Sequence, residues 1–202
     1  MKLKYALLLL PVLAGTAHAG YVDYRHEYYD DGRNYDRVYM SQRFASGFGV
    51  ALEGISRSDD ADAKKPLNNM ETNGIEYTAN YQFTWSNLVW LPGIAIETDE
   101  NQTIYKPFVR VQYNINDNWW TAFRYRFEYT RRNAEGRDDR RVNRPEVWIG
   151  YNTGNWMFEL NGIYKFGSWV PFVEVGNVSS GYKTATTDDR QTRYRVGIGY
   201  NF

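Results

Sequence analysis

Cysteine is absent from this sequence of 202 residues, and histidine occurs only at His18 and His26. Without cysteine the chain has no disulfides, no thiolate metal ligands and no thiol nucleophile. Two histidines are too few for a histidine-rich zinc centre, and a Cys/His catalytic dyad is excluded. We predict no catalytic residue, no metal site and no cofactor.

Long hydrophobic runs are also missing. The longest apolar stretch, Ala6 to Ala14, is shorter than the roughly 20 residues that a membrane-spanning helix requires. It follows two lysines and precedes Ala17-His18-Ala19, a small-x-small cleavage site, which is the order of a secretory signal peptide. The sequence therefore predicts a signal peptide at residues 1–19 and a single domain over residues 20–202.

An excess of positive charge is lacking as well. Removal of Lys2 and Lys4 with the predicted signal peptide leaves 22 basic residues against 24 acidic ones, a net charge of −2. Net charge gives no support to a nucleic-acid partner.

Aromatic residues are abundant, at 17% of the chain, although the mean hydropathy is negative. Apolar and polar residues alternate in segments of about ten residues, which is typical of a transmembrane β-barrel with aromatic girdles. In residues 119–132, for example, Phe123, Tyr125 and Phe127 share one face of a strand, whereas Arg124 and Arg126 share the other. The sequence predicts an all-β, antiparallel up-and-down barrel.

Eleven segments have the character of strands. They are residues 21–29, 36–46, 48–58, 71–84, 88–98, 104–115, 119–132, 145–153, 155–166, 169–178 and 190–202. Bacterial single-chain barrels have an even number of strands, so one assignment is wrong, and we place the error between Arg144 and Phe166. Twelve strands are predicted if one has been missed, and ten if residues 145–153 extend a loop.

The last segment alternates apolar residues and ends in Phe202. A terminal strand of this kind resembles the signal that the outer-membrane barrel assembly machinery recognises, so we expect that machinery as a partner.

Arginine is strongly favoured over lysine, with 17 Arg and 5 Lys after residue 19. A charge facing the lipid at the midplane costs about 2–4 kcal/mol, so the polar faces of the strands are expected to point into the lumen. The predicted pore-lining and substrate-binding residues are Arg25, Arg37, Arg43, Arg110, Arg124, Arg126, Arg193 and Arg195.

Two functions fit these arginines. The repeats Arg124/Arg126 and Arg193/Arg195 have few acids interleaved, and an uncompensated positive ladder is typical of an anion-selective pore. Alternatively, acids neutralise the arginines inside a small closed structural or surface-binding barrel. The acids considered for this role are Glu53, Glu76, Glu97, Glu128, Glu159 and Glu174.

A second basic cluster surrounds a predicted outer loop and comprises Arg131, Arg132, Arg137, Arg140, Arg141 and Arg144. It could attract acidic substrates to the mouth of the pore, bind the phosphates of lipopolysaccharide, or form a solvated face. An enzyme is the remaining class. His26 shares the predicted lipid-facing side of its strand with Val22, Tyr24 and Tyr28, and no nucleophile motif accompanies it.

Several stretches resemble the KdgM family of oligogalacturonate-specific porins, small NanC-like monomeric porins of the outer membrane. They are residues 23–28, 43–49, 92–93, 124–126, 171–179 and 187–197. The resemblance implies a monomeric barrel of twelve strands in which two tracks of arginines guide acidic oligosaccharides by passive, anion-selective uptake. Between Arg144 and Trp169 this chain is shorter than the family pattern by about a hairpin, which keeps a ten-stranded barrel open.

Overall fold

The computed structural model describes residues 17–29, 32–58, 70–133, 139–153, 156–158, 161–164, 167–179 and 190–202. These residues form strands joined by turns. Their bounds are β1 Ala17–Tyr29, β2 Asn34–Phe44, β3 Phe48–Ser58, β4 Met70–Tyr81, β5 Phe83–Trp85, β6 Leu88–Thr98, β7 Gln102–Asn114, β8 Trp119–Arg132, β9 Arg140–Thr153, β10 Trp156–Phe158, β11 Asn161–Tyr164, β12 Trp169–Ser179 and β13 Arg190–Asn201. Within these ranges, no helix is long and apolar enough to cross a membrane.

The strands close into a ring of antiparallel pairs. Strands that are neighbours in sequence pair with each other, except β4 and β5; in addition, β13 pairs with β1, and β4 pairs with β6. Because β4 and β5 are separated only by Gln82 and both pair with β6, they act as one interrupted strand. Counted in this way, the described residues form a barrel of twelve strands, which confirms the predicted fold class.

The region in which the sequence assignment failed contains one more strand than predicted. The single strand predicted over residues 155–166 is a short hairpin, β10 and β11, with three paired positions. With this hairpin included, the described strands agree with the twelve-stranded prediction rather than with the ten-stranded alternative. A strand of three or four residues shows too few alternations for a period of two to distinguish it from part of a longer strand.

The two chain ends of the described barrel meet. Gly20 and Phe202 exchange two backbone hydrogen bonds, at 2.8 and 2.9 Å. The short connections at 45–47, 86–87 and 115–118 lie at this same end, which we call the turn end. The opposite end, the loop end, carries the connections that include residues 59–69 and 180–189, which lie outside the described residues, as do residues 1–16 of the predicted signal peptide.

Alternation decides which side chains face outward. On β8, Phe123 and Tyr125 are exposed on the outer surface, whereas Trp120 and Ala122 on the other face are buried. The outer surface is apolar and aromatic, and the inner face is polar and charged. This matches a barrel whose outside contacts lipid and whose inside contacts water.

Candidate functional site

All eight predicted arginines lie on inward faces of the barrel, on β1, β2, β7, β8 and β13. Each alternates along its strand with outward residues such as Tyr24, Val38, Phe123, Tyr194 and Val196, which are exposed. The structure therefore brings them together around the lumen. It does not leave them as isolated charges.

One network of charges spans the junction between β13 and β1 and is called the closure cluster. It consists of Asp23, Arg25, Glu27, Arg37, Glu53, Glu174, Arg193 and Arg195. Arg37 lies 3.1 Å from Glu27 and 3.2 Å from Glu53, and Arg195 lies 2.7 Å from Glu174. Four arginines meet four carboxylates, so the cluster is balanced in charge.

A second network lies on β8 and β9 and is called the β8–β9 cluster. Arg124 pairs with Glu146, while Arg126 and Arg144 each lie 3.0 Å from Glu128. These three arginines meet two glutamates. In the ring, β8 is the sixth strand from β1 in either direction, so the two clusters stand on opposite walls of the lumen.

Arg110 is held by a different kind of neighbour. Its guanidinium donates to Gln112 Oε1 at 2.9 Å and lies 5.7 and 5.6 Å from the ring centres of Trp120 and Trp148. Arg124 also lies over Trp148, at 5.1 Å. Cation–π contacts at this distance orient a guanidinium without neutralising it. These tryptophans were not predicted as part of the site, although both lie on inward faces that also carry charged residues.

Arg43 lies near the turn end, where its guanidinium donates to the carbonyl oxygen of Gly47 at 2.9 Å and to Asn80 Oδ1 at 2.8 Å. Both acceptors are neutral. Its guanidinium also passes over Gly49, where a Cβ would come within 3.1 Å of both terminal nitrogens. Because glycine has no Cβ, position 49 provides the space that the guanidinium of Arg43 occupies.

An acidic row begins at Glu53 of the closure cluster and runs toward the β8–β9 cluster. Glu53, Glu76 and Glu97 are direct cross-strand neighbours on β3, β4 and β6. Lys106 on β7 bridges two of them, with its Nζ 2.7 Å from Glu76 and in contact with Glu97. The sequence analysis did not single out Lys106, although this residue shares the inward face of β7 with Arg110 and Gln112.

The predicted ladder of uncompensated charge is wrong. Arg124 pairs with Glu146, Arg126 with Glu128, Arg193 with Glu174, and Arg195 with Glu27 and Glu174. With the exception of Glu128, these acids lie on neighbouring strands. Alternation along one strand shows which way a side chain points but not which residue of the adjacent strand it meets, so most of the pairing was invisible in the sequence.

The second basic cluster divides between two surfaces. Arg132, Arg140 and Arg144 belong to inward faces, whereas Arg131 and Arg141 are exposed on outward faces. Arg137 lies outside the described residues.

His26 faces outward as predicted, and it has an acidic neighbour that the sequence did not reveal. Its Nδ1 lies 3.0 Å from Asp36 Oδ1, which also accepts a hydrogen bond from the hydroxyl of Tyr24. Ser56 pairs with Asp36 on the far side, two strands from His26, or about 10 Å at the usual strand spacing. That serine is beyond hydrogen-bond reach of the imidazole. Within the described residues, no group of three His, Cys, Asp or Glu is placed to hold a metal ion.

Comparison with known proteins gives consistent matches along the whole chain. The family model described as "Oligogalacturonate-specific porin protein (KdgM)" matches residues 13–168 and 154–202. Protein YiiY of Salmonella typhimurium is 45% identical over 224 residues, covering 98% of this chain and 97% of the relative. The oligogalacturonate-specific porin KdgM of Dickeya dadantii is 31% identical over 239 residues, and the alignment covers 100% of this chain and 100% of that porin.

Solved structures agree on the fold. The KdgM porin superposes with a TM-score of 0.66 at 28% identity, covering 90% of this chain and 99% of the porin. The NanC porin gives a TM-score of 0.69 at 16% identity, covering 89% of this chain and 98% of that porin.

Proposed function

Since this chain belongs to the KdgM family of oligogalacturonate-specific porins, we propose that it takes up acidic oligosaccharides passively and with a preference for anions. The chain is an outer-membrane β-barrel porin by family, and the anion preference and the arginine lining are the parts proposed here. A solved KdgM structure is described as a complex with disordered oligogalacturonate, which supports a ligand of this class. The observation that carries the proposal is the pair of arginine clusters on opposite walls of the lumen.

Arginines that are paired with acids can still bind the carboxylates of an acidic sugar. A guanidinium has five N–H donors, and the arginines described above use one to three of them in their ion pairs. A carboxylate of the sugar therefore exchanges with Glu146 or Glu174 as a partner at similar energy, which favours repeated weak binding along a channel over capture at one site. The β8–β9 cluster has one positive charge in excess, and this excess favours anions over cations.

Conductance across a planar bilayer tests the proposal. We expect the reversal potential in a salt gradient to show anion preference, and we expect trigalacturonate to reduce the chloride current. The double variant Arg124→Glu with Arg126→Glu should lose or reverse that preference. The matched control is Arg131→Glu with Arg141→Glu, which changes the charge equally on the outer surface. Unchanged selectivity in the first variant would place the β8–β9 cluster outside the permeation path.

A small closed barrel without transport activity is the second candidate, and the balanced closure cluster favours it. The same measurement separates the two functions. A correctly folded wild-type barrel that conducts no ions supports the closed barrel and ends the proposal of a channel.

The proposal also includes the assembly of the barrel. Because the ring closes within one chain, through β13 and β1, no second copy is needed to complete the barrel, and we propose that it acts as a monomer, as the family resemblance implies. Phe202 is 66% exposed at the end of the terminal strand, which supports its recognition by the barrel assembly machinery. No residue is given a catalytic role.

A further inference from the structure

Two arginines stand on the outer surface of the barrel at the loop end. Arg131 is the outward residue near the end of β8, and Arg141 is the outward residue at the start of β9. Both side chains are exposed. On β8 and β9 these are the arginines that point away from the lumen, whereas the other arginines of the two strands lie on inward faces.

The two arginines end the lipid-facing stripes of their strands. On β8 the outward stripe runs toward the loop end through aromatic residues and ends at Arg131. These residues are Phe123, Tyr125, Phe127 and Tyr129. On β9 the outward stripe passes from Ile149 and Val147 to Asn143 and then to Arg141. Aromatic girdles mark the level of the membrane interface, so both guanidiniums lie just beyond it, where lipid headgroups begin.

The surrounding residues hold Arg141 in place. The Arg141 guanidinium lies 5.8 Å from the ring centre of Tyr129, which stacks on Tyr105 with centroids 6.3 Å apart. The Tyr129 hydroxyl donates to Asp139, which also accepts the backbone N–H of Arg132 at 3.3 Å. A preordered arginine loses less conformational entropy when it binds a ligand.

The charge of this surface is positive. Arg131 and Arg141 contribute two positive charges, and Asp139 offsets one of them. A guanidinium fork matches the geometry of a phosphate and binds it through two parallel hydrogen bonds. The long loops of outer-membrane barrels lie on the extracellular side, so the headgroups nearest this pair belong to the outer leaflet.

We propose that Arg131 and Arg141 form a binding site for the phosphate groups of lipopolysaccharide in the outer leaflet. The inward arginines of the same segment, Arg132 and Arg140, face the mouth of the barrel and do not belong to this site. Alternation along β8 and β9 thus divides one basic segment between a lipid and the lumen. The site does not depend on what the lumen transports.

The test uses the full barrel in phosphatidylcholine nanodiscs that contain a small fraction of bisphosphorylated lipid A. Retention of lipid A by the barrel is measured by native mass spectrometry after release from the disc. We expect Arg131→Ala with Arg141→Ala to weaken retention at least tenfold. The control Arg132→Ala with Arg140→Ala removes the same charge from the inward faces and should leave retention within twofold of the wild type.

Two further arms define the ligand. Dephosphorylated lipid A should be retained no better by the wild type than by the double variant, because the acyl chains contact the barrel equally in both. Inorganic phosphate at millimolar concentration should not displace lipid A, since the membrane holds the lipid headgroup at the site. If Arg131→Ala with Arg141→Ala fails to fold, Arg131→Lys with Arg141→Lys keeps the charge but not the fork, and a loss of about threefold is expected.

The proposal is overturned by equal losses in the outward and inward double variants, which would indicate general charge attraction. Equal retention of phosphorylated and dephosphorylated lipid A also overturns it, as does displacement by inorganic phosphate, which would indicate a site for free anions.

Discussion

The guanidinium of Arg195 binds the carboxylate of Glu27 directly across the junction between β13 and β1, with Nε 2.7 Å from Oε1. Glu27 is fully buried and also lies 3.1 Å from Arg37 on β2. One acid near the start of the described chain therefore joins the last strand to the first two. The barrel is closed at this point by charge as well as by backbone hydrogen bonds.

Glu27→Gln should destabilise the barrel because it leaves Arg37 and Arg195 without this carboxylate. We expect a loss of about 2 kcal/mol, in the range for hydrogen bonds to charged groups, measured by urea unfolding in detergent micelles. Glu71→Gln is the control, since its pair with Arg57 is exposed and 3.5 Å long. Exposed pairs contribute about 0–1 kcal/mol. Equal losses in the two variants would contradict a structural role for Glu27.

Lys106→Gln should disturb the acidic row, because Glu76 and Glu97 would then face each other without a cation. Removing one partner of a buried ion pair costs about 3–5 kcal/mol, and water in the lumen lowers this to an expected loss of about 2 kcal/mol. The double variant Lys106→Gln with Glu97→Gln should recover most of the stability, as measured by the same unfolding assay. Failure of the second change to recover any stability would show that the loss comes from packing.

Gly150→Ala should displace the indole of Trp120, because a Cβ at this position would lie 2.3 Å from the ring. We expect a loss of about 1–3 kcal/mol, as for other overpacked sites, and a shift in tryptophan fluorescence. Gly54→Ala is the control, because nothing lies within 4 Å of its added Cβ. A fluorescence shift of the same size in both variants would argue against the contact with Trp120.

Tyr129→Phe should raise the pKa of Asp139. The hydroxyl of Tyr129, followed by the backbone N–H of Arg132, lowers the pKa of this carboxyl below its ordinary value. A lowered pKa stabilises the fold above the unfolded pKa, and that stabilisation is lost as pH falls through the folded pKa. Titration of the labelled Asp139 carboxyl by NMR measures the shift. Tyr105→Phe, which removes a hydroxyl from the same ring stack but leaves the hydroxyl of Tyr129 in place, should leave the pKa of Asp139 unchanged.

Much of the barrel could be predicted from local patterns. Alternation in segments such as residues 119–132 is a property of the backbone, because successive side chains of a strand point to opposite faces. The inward direction of Arg124 and Arg126 follows from this and from the cost of placing charge in lipid. The hairpin β10–β11 could not be predicted, since its strands are too short to show a period.

The sequence by itself determined that the chain forms a barrel, which face of each long strand is charged, and that Arg25, Arg195 and the other predicted arginines point inward. Only the tertiary structure decided which residues those arginines meet. Glu27 and Arg195 are separated by 168 positions, and their contact depends on the register of β1 against β13. Strand register is a relation between distant segments, so no pattern within one strand encodes it. For this reason the positive ladder expected from the sequence is, in the folded barrel, a set of charges paired with acids.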